Sequence, residues 1–315
     1  MPLYHSPGTV PNGWLAFDLS VLRRLKFRSV ALPFTGEPEL GAYLKRWGVK
    51  VAANDLSWWA WTKAIAQIEN NAERLTEADV EVTLEDAYVP RERLNNPALG
   101  RWFNETDAWW LDNVRENIGR LDTQIKRALA LSLGLMVGDY VMSFNEETRR
   151  LRQPLSLSLI FQRVWQIHPT PVNNSQRNQS TNREARDFIA EQQWVDLLFL
   201  RLPPPSNQRE RHRSELLAWR EEWLRGGDDF WDEMERARAG RLGSPVETKQ
   251  QYLRFVEDIL QAAAHLPAWA IAHTENGFIS TSEIVETISR VRKVEAIYTK
   301  DFSELMGARA TIITA

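Results

Sequence analysis

The sequence contains no cysteine among its 315 residues. This absence excludes disulfide bonds, thiolate nucleophiles and zinc sites built on sulfur, and it agrees with a reducing compartment. The sequence also lacks a run of about 20 apolar residues, which a membrane-spanning helix needs, and its first residues lack the basic and then apolar pattern of a signal peptide. We therefore expect a soluble, cytoplasmic protein without a membrane partner.

An excess of positive charge is also missing. The chain has 39 lysines and arginines against 42 acidic residues, which gives a formal net charge of −3. A protein that binds nucleic acid without sequence preference is usually strongly basic over its whole surface. Any contact with DNA must therefore come from a local patch.

Motifs of several enzyme classes are absent as well. The sequence has no Gly-x-Ser-x-Gly elbow, no phosphate loop with Gly-Lys-Ser/Thr, no His-Glu-x-x-His pair and no calcium loop. This gives no support to a hydrolase, a kinase or a metal site. The five histidines are scattered without a partner at metal-ligand spacing, at His5, His168, His212, His265 and His273.

Tryptophan, by contrast, is abundant, with 14 residues in the chain. Several are close neighbours, such as Trp58, Trp59 and Trp61, or Trp109 and Trp110. They could fill the core, or they could form a stacking surface for bases or for a partner protein. Composition is compatible with both.

The first part of the chain is typical of a nucleotide-binding half-sheet. The apolar segment 29–34 predicts a strand that ends at Thr35 and Gly36, a helical pattern follows, and residues 49–53 predict a second strand before Asn54 and Asp55. A strand, a turn with glycine, a helix and a strand that ends in an acid occur in doubly wound sheets, where the acid can bind ribose hydroxyl groups.

The remainder alternates between helical and strand patterns. Residues 56–152 are predicted to be mainly helical, with Asn104 as a helix cap, and the polar segment 173–186 is predicted to be a loop. Residues 194–200 predict a buried strand, ended by three prolines. A long charged helical region is expected from Ser214 to about Arg238. A helix at 252–266, a strand at 268–274, a helix at 282–291 and strands at 293–299 and 308–315 complete the pattern.

These elements predict an α/β protein with a doubly wound sheet and an inserted helical lobe. The first part of the α/β domain covers residues 1–60, the helical lobe covers 61–155, and the remainder of the α/β domain covers 156–315.

Several segments together resemble the Dam-like adenine-specific DNA methyltransferases. They are LPFTG followed by AAND, the helical block from Trp102 to Phe144, the strand that ends in PPPSNQRE, the segment AWAIAHTENGFISTSEIVETI and the terminal ATIITA, in the order of the family. The resemblance implies a sheet of the S-adenosylmethionine-dependent type. It places the cofactor at Pro33, Phe34 and Gly36, with Asp55 on the ribose. The family's lysine-bearing, glycine-rich segment near the start corresponds to residues 8–17, which include Gly8 and Gly13 but no lysine.

The chain departs from the family at the catalytic motif. In the family, Asp-Pro-Pro-Tyr at the end of the central strand holds the amino group of a flipped-out adenine. When the alignment is anchored on the downstream Asn207 and Arg209, Pro203 stands in place of the acid and Ser206 in place of the tyrosine. When it follows the strand without a gap, Arg201 and Pro204 stand in these places. Asp196 lies at the start of the strand, about 20 Å from its carboxyl end. No catalytic residue is therefore predicted in the degenerate motif, which comprises Leu202, Pro203, Pro204, Pro205 and Ser206.

Arginines in two regions, the polar segment 173–186 and the segment after the three prolines, predict DNA contacts. In the family both regions would border the DNA cleft, although the same residues could form ordinary solvated loops. The candidate DNA-binding residues are Arg183, Arg186, Asn207, Arg209, Arg211 and Arg213.

Three hypotheses follow. The first is a catalytically degenerate methyltransferase-like subunit that binds DNA or a protein partner, in a restriction, modification or defence setting, and that has kept or lost its S-adenosylmethionine site. The second is an active adenine methyltransferase whose motif has drifted and whose substrate amine is held by backbone carbonyls near Pro203 to Pro205. The third is a structural scaffold that keeps only the fold.

Overall fold

The computed structural model describes residues 13–144, 147–152, 155–205, 217–275, 277–306 and 308–315. Its centre is a seven-stranded sheet with the order β3-β2-β1-β4-β5-β7-β6. The predicted α/β class is confirmed. The strands are β1 (Ser29–Leu32), β2 (Lys50–Asn54), β3 (Gln179–Thr181), β4 (Leu197–Arg201), β5 (Ala268–Glu275), β6 (Ala296–Asp301) and β7 (Arg309–Thr314).

The sheet is parallel except at one strand. β1 pairs in parallel with β2 and β4, and the ladder continues in parallel to β3 on one side and to β5 on the other. β7 runs antiparallel to both β5 and β6. The residues of β1, β2 and β4 are almost all buried, because helices cover both faces of the parallel part. The carboxyl ends of β1, β2 and β4 thus meet at one edge of the sheet.

Helices account for about half of the described residues outside the strands, and caps fix several of their starts. Asn104 begins the fifth helix as predicted, because its side-chain oxygen accepts a hydrogen bond from the Asp107 amide. The helices are α1 (Trp14–Leu22), α2 (Glu39–Arg46), α3 (Trp58–Ala64), α4 (Glu77–Leu84), α5 (Glu105–Ile118), α6 (Gln124–Met142), α7 (Leu157–Ile167), α8 (Ala185–Glu191), α9 (Ala218–Arg225), α10 (Trp231–Arg238), α11 (Lys249–Ala262), α12 (Thr281–Ser289) and α13 (Ser303–Met306). No helix among these described segments has the length and apolar character needed to cross a membrane.

The polar segment 173–186 is not only a loop, and this part of the sequence-based prediction was wrong. Residues Gln179–Thr181 form β3, the edge strand that pairs in parallel with the end of β2. The segment lacks an apolar pattern because an edge strand this short buries little side-chain surface. Its backbone pairs with the amide and carbonyl groups along the free edge of β2, and the side-chain pattern does not indicate this role.

The predicted long helix from Ser214 to about Arg238 is also corrected. Residues 214–216 lie outside the described part, and the rest forms two helices, α9 and α10. The break follows Gly226, which ends α9 in the left-handed conformation at φ 81°. α9 is also not a solvated charged helix, because Arg220, Glu221 and Glu222 are buried with exposures of 0%, 4% and 1%.

α9 belongs to the core of the helices that lie between β2 and β3 in the chain. Trp219 and Trp223 of α9 are fully buried in the same apolar cluster as α5, α6 and α7. The tryptophans as a group pack inside the protein: six are buried and the other eight are half-buried. The structure therefore favours packing as their main role, although the half-buried Trp47, Trp59 and Trp194 line clefts.

Candidate functional site

A cleft opens at the carboxyl ends of the parallel strands. β1 lies between β2 and β4, so the chain leaves β1 towards one side of the sheet and later returns on the other side. Such a switch point is where open α/β sheets bind ligands. The cleft has a volume of about 270 Å³ and mostly apolar walls.

The cleft brings together five of the residues that the sequence selects. Pro33, Phe34, Asp55, Arg183 and Pro203 all line it. They come from the ends of β1, β2, β3 and β4, so the sheet edge collects them from distant parts of the chain. Gly36 does not line the cleft.

Asp55 fastens the turns at the ends of β1 and β2 to each other. One carboxylate oxygen accepts a hydrogen bond from the Gly36 amide at 2.9 Å, and the other accepts from the Ser57 amide at 2.9 Å. Burial raises the pKa of Asp55, and the hydrogen bonds from these two amides offset only part of this rise. The carboxylate oxygens have lone pairs left for further donors, such as the hydroxyl groups of a sugar.

Asn54 is a positioning residue that the motif search did not select. Its buried amide group donates to the carbonyl of Pro33 at 3.2 Å and to the carbonyl of Arg183 at 3.0 Å. Its side-chain oxygen accepts from the Arg183 amide at 3.0 Å and from the Thr181 hydroxyl at 2.8 Å. One side chain thereby connects the ends of β1, β2 and β3 and holds Asp55 at the mouth of the cleft.

The roof of the cleft comes from the segment after β4. Leu217, Glu221, Trp231, Met234 and Arg238 of this segment line it, opposite the strand ends. Sequence reasoning missed this roof because its residues are far in sequence from the strand ends that they face. For example, the Trp59 amide donates to a carboxylate oxygen of Glu221 at 3.3 Å, and the two residues are 162 positions apart. Burial raises the pKa of Glu221, while the hydrogen bond from Arg225 lowers it.

A buried ion network ties the roof to the turn after β1. Arg220 donates to Glu37 at 3.1 Å and to the two oxygens of Asp139 at 2.9 and 2.6 Å. Lys63 adds an ion pair with Glu37 at 2.7 Å. Burial alone would raise the pKa of Glu37, but the charges of Lys63 and Arg220 lower it overall. The network fixes α9 against the turn that the resemblance assigns to the cofactor.

Up to Pro205, where the described part of this segment stops, the end of β4 places no acid at the cleft. Pro203 lines the wall, and its carbonyl accepts a hydrogen bond from the Tyr252 hydroxyl at 2.8 Å. Leu202 is buried, Pro204 is exposed and Pro205 is half-buried, while Ser206 lies outside the described residues. The acids that line the cleft are Asp55, Glu184 and Glu221, and each already holds protein donors.

Arg201, the acid's counterpart in the alignment without a gap, lies away from this wall. It forms an ion pair with Asp18 of α1, and its guanidinium carbon stands 5.4 Å from the centre of the Trp14 ring. Asp18 is fully buried, and burial raises its pKa to about 6, although the charge of Arg201 lowers it in opposition.

This shift predicts a pH dependence of stability. Because the pKa of Asp18 is higher in the folded protein than the ordinary 3.8, folding favours the protonated form, so stability is lost as the pH rises through about 6. Between about pH 4 and about pH 7, the wild type should lose about 2 kcal/mol of unfolding free energy relative to Asp18→Asn. Urea unfolding of both proteins across this range measures the difference. A difference that stays constant with pH would show that Asp18 titrates normally.

Asp196 lies at the opposite edge of the sheet, as its position in the strand predicts. One of its carboxylate oxygens accepts from the amides of Arg28 and Ser29 at 2.8 and 3.0 Å. It therefore joins the amino ends of β1 and β4 and is not available to the cleft.

The predicted DNA-binding residues fall into two groups. Arg183 lines the cleft and pairs with Glu191, and Arg186 is exposed nearby. The other four lie outside the described residues, namely Asn207, Arg209, Arg211 and Arg213.

Within the described part of the chain, no group of three or more acidic or histidine side chains is arranged to hold a metal ion. A scan of the chain against protein-family models matches none of them, and a comparison with curated proteins finds no match either.

Proposed function

We propose that this protein is a catalytically degenerate member of the adenine-specific DNA methyltransferase type that acts as a DNA-binding subunit. The observation that carries the proposal is the cleft at the carboxyl edge, which has Asp55 at one wall and Pro203 where the acid of the catalytic motif would stand. A restriction, modification or defence setting, together with a protein partner in a larger assembly, follows from analogy with the family alone.

The sheet supports the class. Its strand order, with β7 antiparallel between β5 and β6, is typical of S-adenosylmethionine-dependent methyltransferases. In that sheet type the cofactor lies at the ends of β1 and β2, which is where Phe34 and Asp55 line the cleft.

The residues present fit the nucleoside half of S-adenosylmethionine. Asp55 can accept hydrogen bonds from ribose hydroxyl groups, and Phe34, Trp59 and Trp231 offer apolar surface to an adenine ring. The volume of about 270 Å³ lies just below the range of roughly 300–1,000 Å³ that is usual for ligand pockets. We therefore expect weak binding of the whole cofactor, with Asp55 as its main polar anchor. When bound, the cofactor would supply an activated methyl group.

The described residues at the end of β4 offer no side-chain acceptor that would position the target amine for methyl transfer. The target amine needs an acceptor beside the methyl group, and orientation of this kind supplies much of an enzyme's rate. Proline has no side-chain acceptor. The backbone carbonyl of Pro203, which a drifted active enzyme could use instead, accepts from Tyr252 and has one lone pair left. The loss of the side-chain acceptor favours the binding subunit over the active enzyme.

The test combines three measurements on the purified full chain. Calorimetry with S-adenosylmethionine should give binding that Asp55→Ala abolishes and that Asp187→Ala, an exposed acid outside the cleft, leaves unchanged. A gel shift with unmethylated duplex DNA should show binding, and Arg183→Gln with Arg186→Gln should lower the salt slope of log K by about 0.9 for each lost phosphate contact. Labelled methyl groups should not enter the DNA. Absence of both cofactor and DNA binding would leave only a scaffold, and methylated adenine would establish an active enzyme.

A further inference from the structure

A second basic surface lies at the amino ends of the strands, opposite the cleft. The sequence carries four basic residues and no acid between Leu19 and Gly36, and three basic residues and no acid between Leu40 and Asn54. The acids of this region, Glu37 and Glu39, lie at the other end of α2. The exposed or half-buried cations at this edge, here called the amino-edge patch, are Arg23, Lys26, Arg28, Arg46, Lys50 and Arg177.

The fold brings these cations together. β1 and β2 start side by side, with Ser29 opposite Lys50, and the Lys50 amide donates to the carbonyl of Arg28 at 2.9 Å. Arg23, at the end of α1, reaches across to the Trp47 ring, with 5.2 Å between its guanidinium carbon and the ring centre. Arg23, Arg28 and Lys50 of the patch therefore lie close to the same edge of the sheet.

Aromatic rings line a recess within this patch. A cleft of about 470 Å³ is lined by Trp47 and Trp194 together with Arg28 and Lys50. The Lys50 ammonium lies 3.4 Å from the centre of the Trp194 ring. Both indoles are half-buried, so part of each side chain remains accessible.

None of the six cations of the patch forms an ion pair with a described acid. Asp196 is the one acid among the described residues that line the recess, and it is engaged by the amides of Arg28 and Ser29. Uncompensated like charges repel one another, so the patch is suited to an anionic partner.

We propose that the amino-edge patch binds single-stranded nucleic acid, with phosphates on the cations and bases against Trp47 and Trp194. Cations that follow a backbone and aromatic rings that accept bases are the two components of single-strand binding sites. An unpaired base can enter a recess that two indoles line, whereas the bases of a duplex are stacked inside the helix. The surface is separate from the carboxyl-edge cleft, so this binding is independent of the function proposed above.

The test uses a fluorescently labelled 20-nucleotide oligo-dT and the full chain. Fluorescence anisotropy should show binding that weakens with salt. Arg23→Gln, Lys26→Gln and Arg28→Gln together remove three exposed cations, which should lower the affinity about 100-fold at about 0.1 M salt and reduce the slope of log K against log salt by about 2. An oligomer of the same length without bases should bind about tenfold more weakly, because stacking is lost.

The matched control removes three other exposed cations, by Arg93→Gln, Arg163→Gln and Arg254→Gln, and it has the same net charge as the patch variant. It should bind oligo-dT like the wild type. Equal loss in both variants would show a net-charge effect and overturn the proposal, as would an unchanged patch variant. In a chain that carries Arg183→Gln and Arg186→Gln, so that the carboxyl-edge cleft does not contribute, tighter binding of a 20-base-pair duplex than of oligo-dT would also overturn it, as would binding to phosphatidylserine vesicles without binding to oligo-dT. Variants at Arg183 and Arg186 should leave this binding intact, which separates it from the carboxyl-edge cleft.

Discussion

Replacing Arg220 by alanine is expected to lower the free energy of unfolding by about 3–5 kcal/mol, because it breaks a buried ion network and leaves a charge without its partner. Arg220 is fully buried and binds both Glu37 and Asp139. Its guanidinium carbon also lies 4.9 Å from the centre of the Trp59 ring. Lys63 still pairs with Glu37 in the variant, so the main loss is the ion pair between Arg220 and Asp139.

Urea unfolding of the two proteins measures this loss. Arg236→Ala is the matched control, since Arg236 is exposed in the neighbouring helix α10, and surface changes of this kind usually stay within about 0.5 kcal/mol. Arg220→Met preserves part of the packing and should cost less than alanine if packing contributes. A cost below about 1 kcal/mol for Arg220→Ala would show that the network does not hold α9 in place.

The second large effect is expected where α9 meets α6. A Cβ atom added at Gly138 would lie 2.1 Å from the nearest ring atom of Trp219, and one at Gly134 would lie 2.3 Å from Trp223. The glycines give the two indoles their space. Gly138→Ala should therefore cost about 1–3 kcal/mol through overpacking, even though alanine favours a helix over glycine by about 1 kcal/mol. Trp219→Ala should cost about 3–5 kcal/mol.

The double variant tests the contact itself. With Trp219 already replaced by alanine, the clash is gone, so Gly138→Ala should become neutral or stabilising. Gly100→Ala, which meets no atom within 4 Å, controls for the loss of glycine as such. A cost of Gly138→Ala that is the same with and without the Trp219 ring would contradict this account.

The strands of the parallel sheet could be predicted because each is buried on both faces. Such strands are continuous apolar runs, as in β1 and β4, and glycine or proline marks their ends. β3 gave no such signal, since an edge strand of three residues depends on backbone hydrogen bonds and not on apolar side chains. The same reasoning placed Asp55 correctly at the sheet edge.

Charge patterns misled the prediction for α9. A stretch with many arginines and glutamates is usually solvated, yet Arg220, Glu221 and Glu222 are buried because distant partners satisfy them. Glu222, for example, accepts from the indole of Trp102 at 2.6 Å and from the indole of Trp231 at 3.0 Å. Pairing of this kind depends on tertiary contacts, which a local pattern does not contain. The roof of the cleft was unpredictable for the same reason.

The amino-edge patch was detectable in principle. The acid-free run from Arg23 to Arg28 is visible in the sequence, although an overall charge of −3 conceals it. What the sequence lacks is the proximity of Trp47 and Trp194, which only the sheet creates. The acid-free basic run identifies the segment, and the strand order then shows which other segments lie beside it at the same edge of the sheet.

The central claim is that the protein binds DNA but has lost methyl transfer. The most direct measurement incubates the full chain with S-adenosylmethionine carrying a labelled methyl group and unmethylated duplex DNA, at concentrations where a gel shift shows the DNA to be bound. We predict bound DNA without label in adenine, for the wild type and for Asp55→Ala alike. Labelled N6-methyladenine that forms with the wild type and disappears with Asp55→Ala would contradict the claim.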